Sequence, residues 1–300
     1  MRERSLLALV AALLLISAKA YADPVPERVA AIIRAAANDG NPAELAATIK
    51  FAKKANPRST KEIDALAAQL QAAAEARHRA ELLRRRFFEG WTGQGEVGAS
   101  SSSGNTRSTT LAMGLNFSRN GLYWDHAFIA TADYQRDNGT ESKGRYFASY
   151  SGHYKYNDRA YALGLLSWES DRFSGFESRL SESVGLGYAV LNGPKVNLSI
   201  EAGPALRQTD YSLGRSENEF AGRASVNYLW KMFPNLTFTQ IVSYYGQSHD
   251  STLTSDTAFT ANLIGALSAR ASYHIQYETN PPLTLDKTDT LTRLTLVYSF

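Results

Sequence analysis

The apolar positions of this chain follow two different periods. Between Pro24 and about Phe88 they recur at helical spacing, and from Trp91 to Phe300 they alternate with polar ones, the two-residue period of a strand. In the clearest segment Val196, Leu198, Ile200, Ala202, Pro204 and Leu206 share one face, and Asn197, Ser199, Glu201, Gly203, Ala205 and Arg207 the other. Ala271, Tyr273, Ile275 and Tyr277 likewise oppose Ser272, His274, Gln276 and Glu278. Tyr146, Ala148, Tyr150, Gly152 and Tyr154 oppose Arg145, Phe147, Ser149, Ser151 and His153. Charges fall on the face opposite the aromatics.

About twelve such segments are expected, near 91-101, 107-118, 123-135, 143-156, 159-172, 179-191, 195-207, 217-230, 236-247, 256-265, 270-279 and 289-300. At about ten residues each they exceed the usual strands of soluble sheets and match a tilted membrane crossing. Connectors after even-numbered strands are tight: Arg119-Asn120-Gly121, Asn157-Asp158, Asn192-Gly193-Pro194 and Met232-Phe233-Pro234-Asn235. After odd-numbered strands most are longer and polar, as in "RDNGTES", "RQTDYSLGRSE", "SHDSTLTSD" and "NPPLTLDKT". Short turns on one rim and long loops on the other are the asymmetry of outer-membrane barrels. In hydrocarbon every backbone donor and acceptor needs a partner, so the sheet has to close on itself. The pattern predicts an all-β transmembrane β-barrel of antiparallel, up-and-down strands over 91-300, with both its ends on the short-turn, periplasmic side. Segments 159-172 and 236-247 carry apolar residues on both faces, so alternation does not assign their register.

Upstream of the strands, a small α-helical periplasmic segment is expected over residues 23-88. A first helix runs from about Pro26 to Ala37 and stops at Asn38-Asp39-Gly40. A second starts at Asn41-Pro42, a cap followed by proline, and ends before Pro57. The third opens on Ser59-Thr60-Lys61-Glu62, a capping-box spelling, and continues toward Phe88. Arg77, Arg79, Arg84, Arg85 and Arg86 make its later half basic, a solvated face or one set beside anionic head groups. Before all this, Arg2 and Arg4 precede the apolar run Leu6 to Ile16 and the small-residue pattern Ala20-Tyr21-Ala22, which reads as a signal peptide, residues 1-22, that is cleaved on export.

Composition narrows the chemistry. The net charge is +3, from 32 basic and 29 acidic residues mixed along the chain, which offers no basis for nucleic-acid binding. The absence of cysteine excludes disulfides and thiolate metal sites. The 16 tyrosines and 13 phenylalanines lie mostly beyond residue 87. Among the aromatics, Tyr298 with Phe300, Tyr154 with Tyr156, Trp124, Tyr188, Tyr228 and Trp230 are placed at periplasmic strand ends as one girdle.

The inward face is expected to carry Glu96, Asp125, Asp133, Arg145, His153, Lys155, Glu201, Arg207, Arg223, His274, Glu278 and Arg293. Charges of both signs are costly to bury dry, so they are either hydrated or paired with one another. Hydrated, they line a narrow pore for small solutes or ions. Paired across the lumen, they make a closed barrel with a structural or envelope role through its loops and periplasmic helices. A lipid-modifying enzyme is the third class, with His153, His249 and His274 as its candidates. His249-Asp250-Ser251 does not make a hydrolase triad, because consecutive strand residues point to opposite faces and the stretch is expected in a loop. His153, His274 and Glu278 share a face and would suit a metal, but hydrated polar filling is the plainer account, and no metal or cofactor is expected. Asp210, Asp250, Asp256, Asp286 and Asp289, in or beside the long loops, are placed to meet divalent cations associated with lipopolysaccharide, with plain solvation the simpler account.

Three stretches carry a resemblance. "WTGQGEVGASSSSGNT", "YETNPP" from Tyr277 to Pro282 and the ending "KTDTLTRLTLVYSF" together resemble the domain-of-unknown-function 481 family, often described as salt-induced outer-membrane proteins. The resemblance covers about Trp91 to Phe300. It implies a Gram-negative outer-membrane barrel with no settled activity and no catalytic residues to carry over. Phe300, Tyr298 and Leu296 also resemble the C-terminal recognition strand of barrels handled by the outer-membrane assembly machinery. The partners expected are therefore that machinery, outer-membrane lipid and lipopolysaccharide, with residues 23-88 a candidate surface for a periplasmic partner.

Overall fold

A computed structural model describes residues 24–102, 108–212, 214–281 and 286–300. The expected signal peptide, Gly104-Asn105 and Pro282 lie outside them. The described chain divides into a helical unit ending at Arg84 and a β unit from Arg85 to Phe300.

In the helical unit, α1 (Glu27–Asp39), α2 (Pro42–Ala55) and α3 (Thr60–Arg84) surround one small core. Asn41 caps α2, its side-chain oxygen accepting from the amides of Ala43 at 3.1 Å and Glu44 at 3.4 Å. The expected capping box at Ser59 does not form. Ser59 belongs instead to a 3₁₀ turn, Pro57–Ser59, and its hydroxyl reaches the Pro24 carbonyl at 3.5 Å. Ile33 and Ile63 are fully buried against Ala36, Leu45 and Ala52, each isoleucine stabilising the unit by about 2 kcal/mol relative to exposure. Ile63 and Ala67 are the buried residues of α3, which stops at Arg84 rather than continuing toward Phe88.

The β unit is a closed antiparallel barrel in which the described residues form twelve strands, each paired with its chain neighbours and the first with the last. They are β1 (Trp91–Ser102), β2 (Ser108–Asn120), β3 (Trp124–Asp137), β4 (Thr140–Lys155), β5 (Ala160–Asp171), β6 (Phe176–Asn192), β7 (Val196–Tyr211), β8 (Ser216–Phe233), β9 (Leu236–Gly246), β10 (Thr252–Ile264), β11 (Leu267–Glu278) and β12 (Thr288–Ser299). Val97, Leu115, Val184, Leu186, Leu294 and Leu296 are exposed on the outer wall, whereas Glu201, Arg207 and Glu278 are buried within. No described helix is long and apolar enough to cross a membrane. An outward apolar wall around a polar interior, with no free strand edge, is the arrangement of a transmembrane barrel.

Several strands run further toward the loop rim than alternation indicates. β4 begins at Thr140, so "RDNGTES" is mostly strand and closes on Asn138 (φ 51) and Gly139 (φ 85), a two-residue turn of the primed hairpin kind. Polar alternation continues past the hydrocarbon, and strand pairing continues with it. At the seam, Gly93 and Phe300 exchange both backbone hydrogen bonds at 2.8 Å, and the pairing continues from Gln94↔Ser299 to Val97↔Leu296. The Phe300 ring lies over Gly93, where a Cβ would come within 2.3 Å of it, so any side chain at 93 would force the ring to shift. On the outer wall Trp124 packs on Tyr154 with ring centroids 5.2 Å apart, and Tyr154 on Tyr156 at 5.4 Å.

Candidate functional site

The strand registers place the interior as successive tiers of charge. A cavity of about 850 Å³ runs along this interior, lined by Asp125, Arg145, His153, Lys155, Glu201, Arg207, Arg223, His274 and Arg293, among others. Lys155 donates to Asp125 at 2.8 Å and to the Gly121 carbonyl at 2.7 Å, tying β4 to the turn before β3. Higher up, Glu201 accepts from the Tyr161 hydroxyl and from the Arg223 guanidinium, both at 3.0 Å. Tyr161 on β5 reaches β7 by lying across β6 at Gly187, its own strand partner and that of Glu201. A Cβ at 187 would fall 2.2 Å from the ring. His153 stacks on Tyr161 with centroids 4.8 Å apart, its Nε2 3.9 Å from Glu201.

The middle tier joins more distant strands. Arg270 on β11 donates to Glu96 on β1 at 2.9 Å, past β12. Arg293 on β12 donates through Nε to Asp133 on β3 at 2.6 Å, past β1 and β2. Arg145 pairs with Glu169 at 2.7 Å, and His274 Nδ1 lies 2.6 Å from Asp256. Arginine suits these bridges because its planar fork keeps one donor on the carboxylate while others remain for a neighbour.

Toward the loop rim the interior is spanned from wall to wall. Arg207 on β7 donates to Thr252 on β10 at 2.6 Å, Thr252 donates to Glu278 on β11 at 2.7 Å, and Glu278 accepts from Arg179 on β6 at 2.7 Å. Gln276 adds a further bond to Glu278 at 3.0 Å. Arg179 also lies over the Phe176 ring at 4.0 Å, and Arg207 over Tyr245 at 4.7 Å, so both cations are held on an aromatic floor. All four members of this strut are buried.

All twelve inward candidates from the alternation therefore occupy this system: nine line the cavity, and Glu96, Asp133 and Glu278 are paired with Arg270, Arg293 and Arg179. Four essential partners are absent from that set: Glu169, Arg179, Asp256 and Arg270. Glu169 lies in a segment apolar on both faces, and the others lie at or near expected strand starts. β6, β10 and β11 each begin a few residues earlier, at Phe176, Thr252 and Leu267, which carries all three inside the barrel. Arg179-x-Ser181-x-Ser183 opposite Leu180 and Val184 was the usable signal. Asp256 is thus an interior partner of His274 and not a loop carboxylate. Asp250 is also buried, accepting from Thr279 Oγ1 at 3.1 Å and the Asn280 amide at 2.9 Å.

Among the described residues no three His, Asp or Glu side chains gather as a metal site. His249 Nδ1 lies 2.6 Å from Glu219, while Ser251 accepts from the Gln247 amide, so His249, Asp250 and Ser251 each face a different partner. His153 and His274 sit with Glu201 and Asp256, not with Glu278.

Comparison with known proteins follows from this geometry. A family model described as "Protein of unknown function, DUF481" matches residues 95–300. The chain is 30% identical over 213 residues to the uncharacterized protein YdiY of Escherichia coli (strain K12), spanning 71% of this chain and 83% of that one. Among solved structures it is similar to the NanC porin at 12% identity, covering 70% of this chain and 97% of that chain with a TM-score of 0.41. It is also similar to an outer membrane channel from Pseudomonas putida F1 at 9% identity, covering 70% and 95% with a TM-score of 0.43. Likenesses at those scores say nothing of what this lumen admits. The match over the barrel and the shared identity with YdiY establish that the chain belongs to the DUF481 family.

Proposed function

We propose that this protein resides in the outer membrane of a Gram-negative cell, reaches it after removal of residues 1–22, and forms a narrow pore for small solutes or ions. One observation carries the proposal: a charge-lined cavity of about 850 Å³ lies inside a closed ring and is crossed toward the loop rim by a buried strut of side chains. Side-chain pairs of this kind restrict a passage to what can thread between them, so conductance would be small and set by the charged lining. The role is that of a non-enzymatic barrel, with its outward wall against lipid and lipopolysaccharide and with Leu296, Tyr298 and Phe300 serving the assembly machinery. A second reading, a permanently closed structural barrel, is favoured by the strut itself, since Arg179 and Glu278 meet across the interior.

Planar-bilayer recording of the purified barrel separates the two. A pore gives small, stable steps that grow when the strut is removed in Arg179→Ala/Glu278→Ala. A bilayer that stays silent with both proteins, each shown to be folded by heat-modifiable electrophoresis, overturns the pore.

A further inference from the structure

The stretch from Arg85 to Trp91 is folded back onto the outside of the barrel. The Trp91 indole donates to the Phe87 carbonyl at 2.8 Å, the Arg86 amide donates to the Glu89 carboxylate at 3.0 Å, and the Glu89 amide donates to the Arg86 carbonyl at 3.0 Å. Arg119, on β2, donates to the carbonyls of Glu89 at 3.0 Å and Arg86 at 3.3 Å and lies 5.9 Å from the centre of the Phe87 ring. Phe87 meets Trp91 and His126 edge to face, at 6.0 and 5.5 Å.

Those contacts define a side of the wall. Trp91, Arg119 and His126 are successive strand partners, and strand partners share a face. His126 stacks on Trp124 and lies 2.8 Å from the Tyr150 hydroxyl, both exposed outward. The hook therefore rests on the lipid-facing girdle at the short-turn rim, and Phe88 projects from it 87% exposed. Three guanidinium groups, Arg85, Arg86 and Arg119, accompany one carboxylate, Glu89. An exposed aromatic pair ringed by cations, continuous with a wall that already meets lipid, fits a bilayer interface.

We infer that residues 85–91 form an in-plane membrane anchor, with Phe87 and Phe88 seated at the head-group boundary and the arginines gripping the phosphates of anionic phospholipid. This rests on the transmembrane barrel and not on the pore. A buried-in-protein role for Phe88 would leave its surroundings indifferent to lipid charge; an anchor would not.

The chain has no cysteine, so Phe88→Cys in the full-length protein offers a single labelling site, with Asp39→Cys on the helical unit as control. Each would carry an environment-sensitive fluorophore in vesicles of phosphatidylcholine with or without phosphatidylglycerol, with folding of every sample checked by heat-modifiable electrophoresis. The label at 88 should be quenched by bromine-bearing lipid and shielded from aqueous iodide, more so with phosphatidylglycerol. The control label should stay open to iodide. Arg85→Gln/Arg86→Gln should weaken the phosphatidylglycerol effect by about five-fold for each arginine removed. Equal iodide access at 88 and 39, or shielding at 88 unaffected by phosphatidylglycerol, overturns the anchor.

Discussion

Arg179 and Glu278 belong to β6 and β11, strands on opposite sides of the twelve-membered ring, yet their side chains meet at 2.7 Å. Each is at most 10% exposed at the side chain, so neither charge has water as a ready substitute for the other. The pair is worth less as a stabilising contact than its loss would cost.

Removing one member should therefore be harsher than removing both. Glu278→Ala leaves Arg179 buried without its carboxylate and is expected to destabilise the folded barrel by about 3 kcal/mol, whereas Arg179→Ala/Glu278→Ala should cost less. Urea unfolding in detergent micelles, followed by tryptophan fluorescence, measures both. A double variant less stable than either single variant would contradict the account.

The cavity wall carries seven arginines and lysines against five aspartates and glutamates. A weak preference for anions is expected, because an excess of fixed cations raises the local anion concentration. The reversal potential in a potassium chloride gradient should show it, and Arg223→Gln should move it toward cations. A cation-preferring wild type would refute this assignment.

Gly187 lets Tyr161 cross β6. Gly187→Ala should push the ring aside, break its bond to Glu201 and destabilise the barrel by about 1–3 kcal/mol through overpacking. Tyr161→Phe loses only the hydroxyl and should cost about 1 kcal/mol. If the alanine variant proves no worse than the phenylalanine variant in the same urea titration, the crossing is not constrained as described.

Phe300 completes the seam through its backbone pairing with Gly93 and its ring contact with Phe117, centroids 5.8 Å apart. Phe300→Ala keeps the backbone bonds but empties the ring's place, and Gly93→Ala keeps the ring but denies it room. Both should lower the heat-modifiable fraction recovered from outer-membrane preparations. Unchanged recovery for both would show that the seam does not depend on this contact.

Much of this architecture could be read from alternation, and the reason is geometric. A strand that separates lipid from a polar lumen has to place its residues alternately, so Val196 to Arg207 announces both faces at once. Reach was harder to read. Nothing local to Asp133 indicates that its partner is Arg293, since that pairing depends on how the ring closes and on small residues in between, such as Ala112, the strand partner of Asp133. The strand starts were harder to place for a related reason: polar residues continue the pairing without any apolar mark, so Asp256 fell in or beside a loop, and Arg179 and Arg270 fell on the first residues of their expected strands. The capping-box spelling at Ser59 failed because the 3₁₀ turn from Pro57 already holds Ser59 in helical geometry, and its hydroxyl lies 3.5 Å from the Pro24 carbonyl.

A thin cylindrical shell under sideways pressure from a bilayer flattens most easily when its opposite sides are independent. The Arg207–Thr252–Glu278–Arg179 chain acts as an internal brace between them, so the cross-section is stiffened where the chain is made. Under the proposed pore, a solute large enough to part that brace would also loosen the shell at that level, which would make admission and deformation one event.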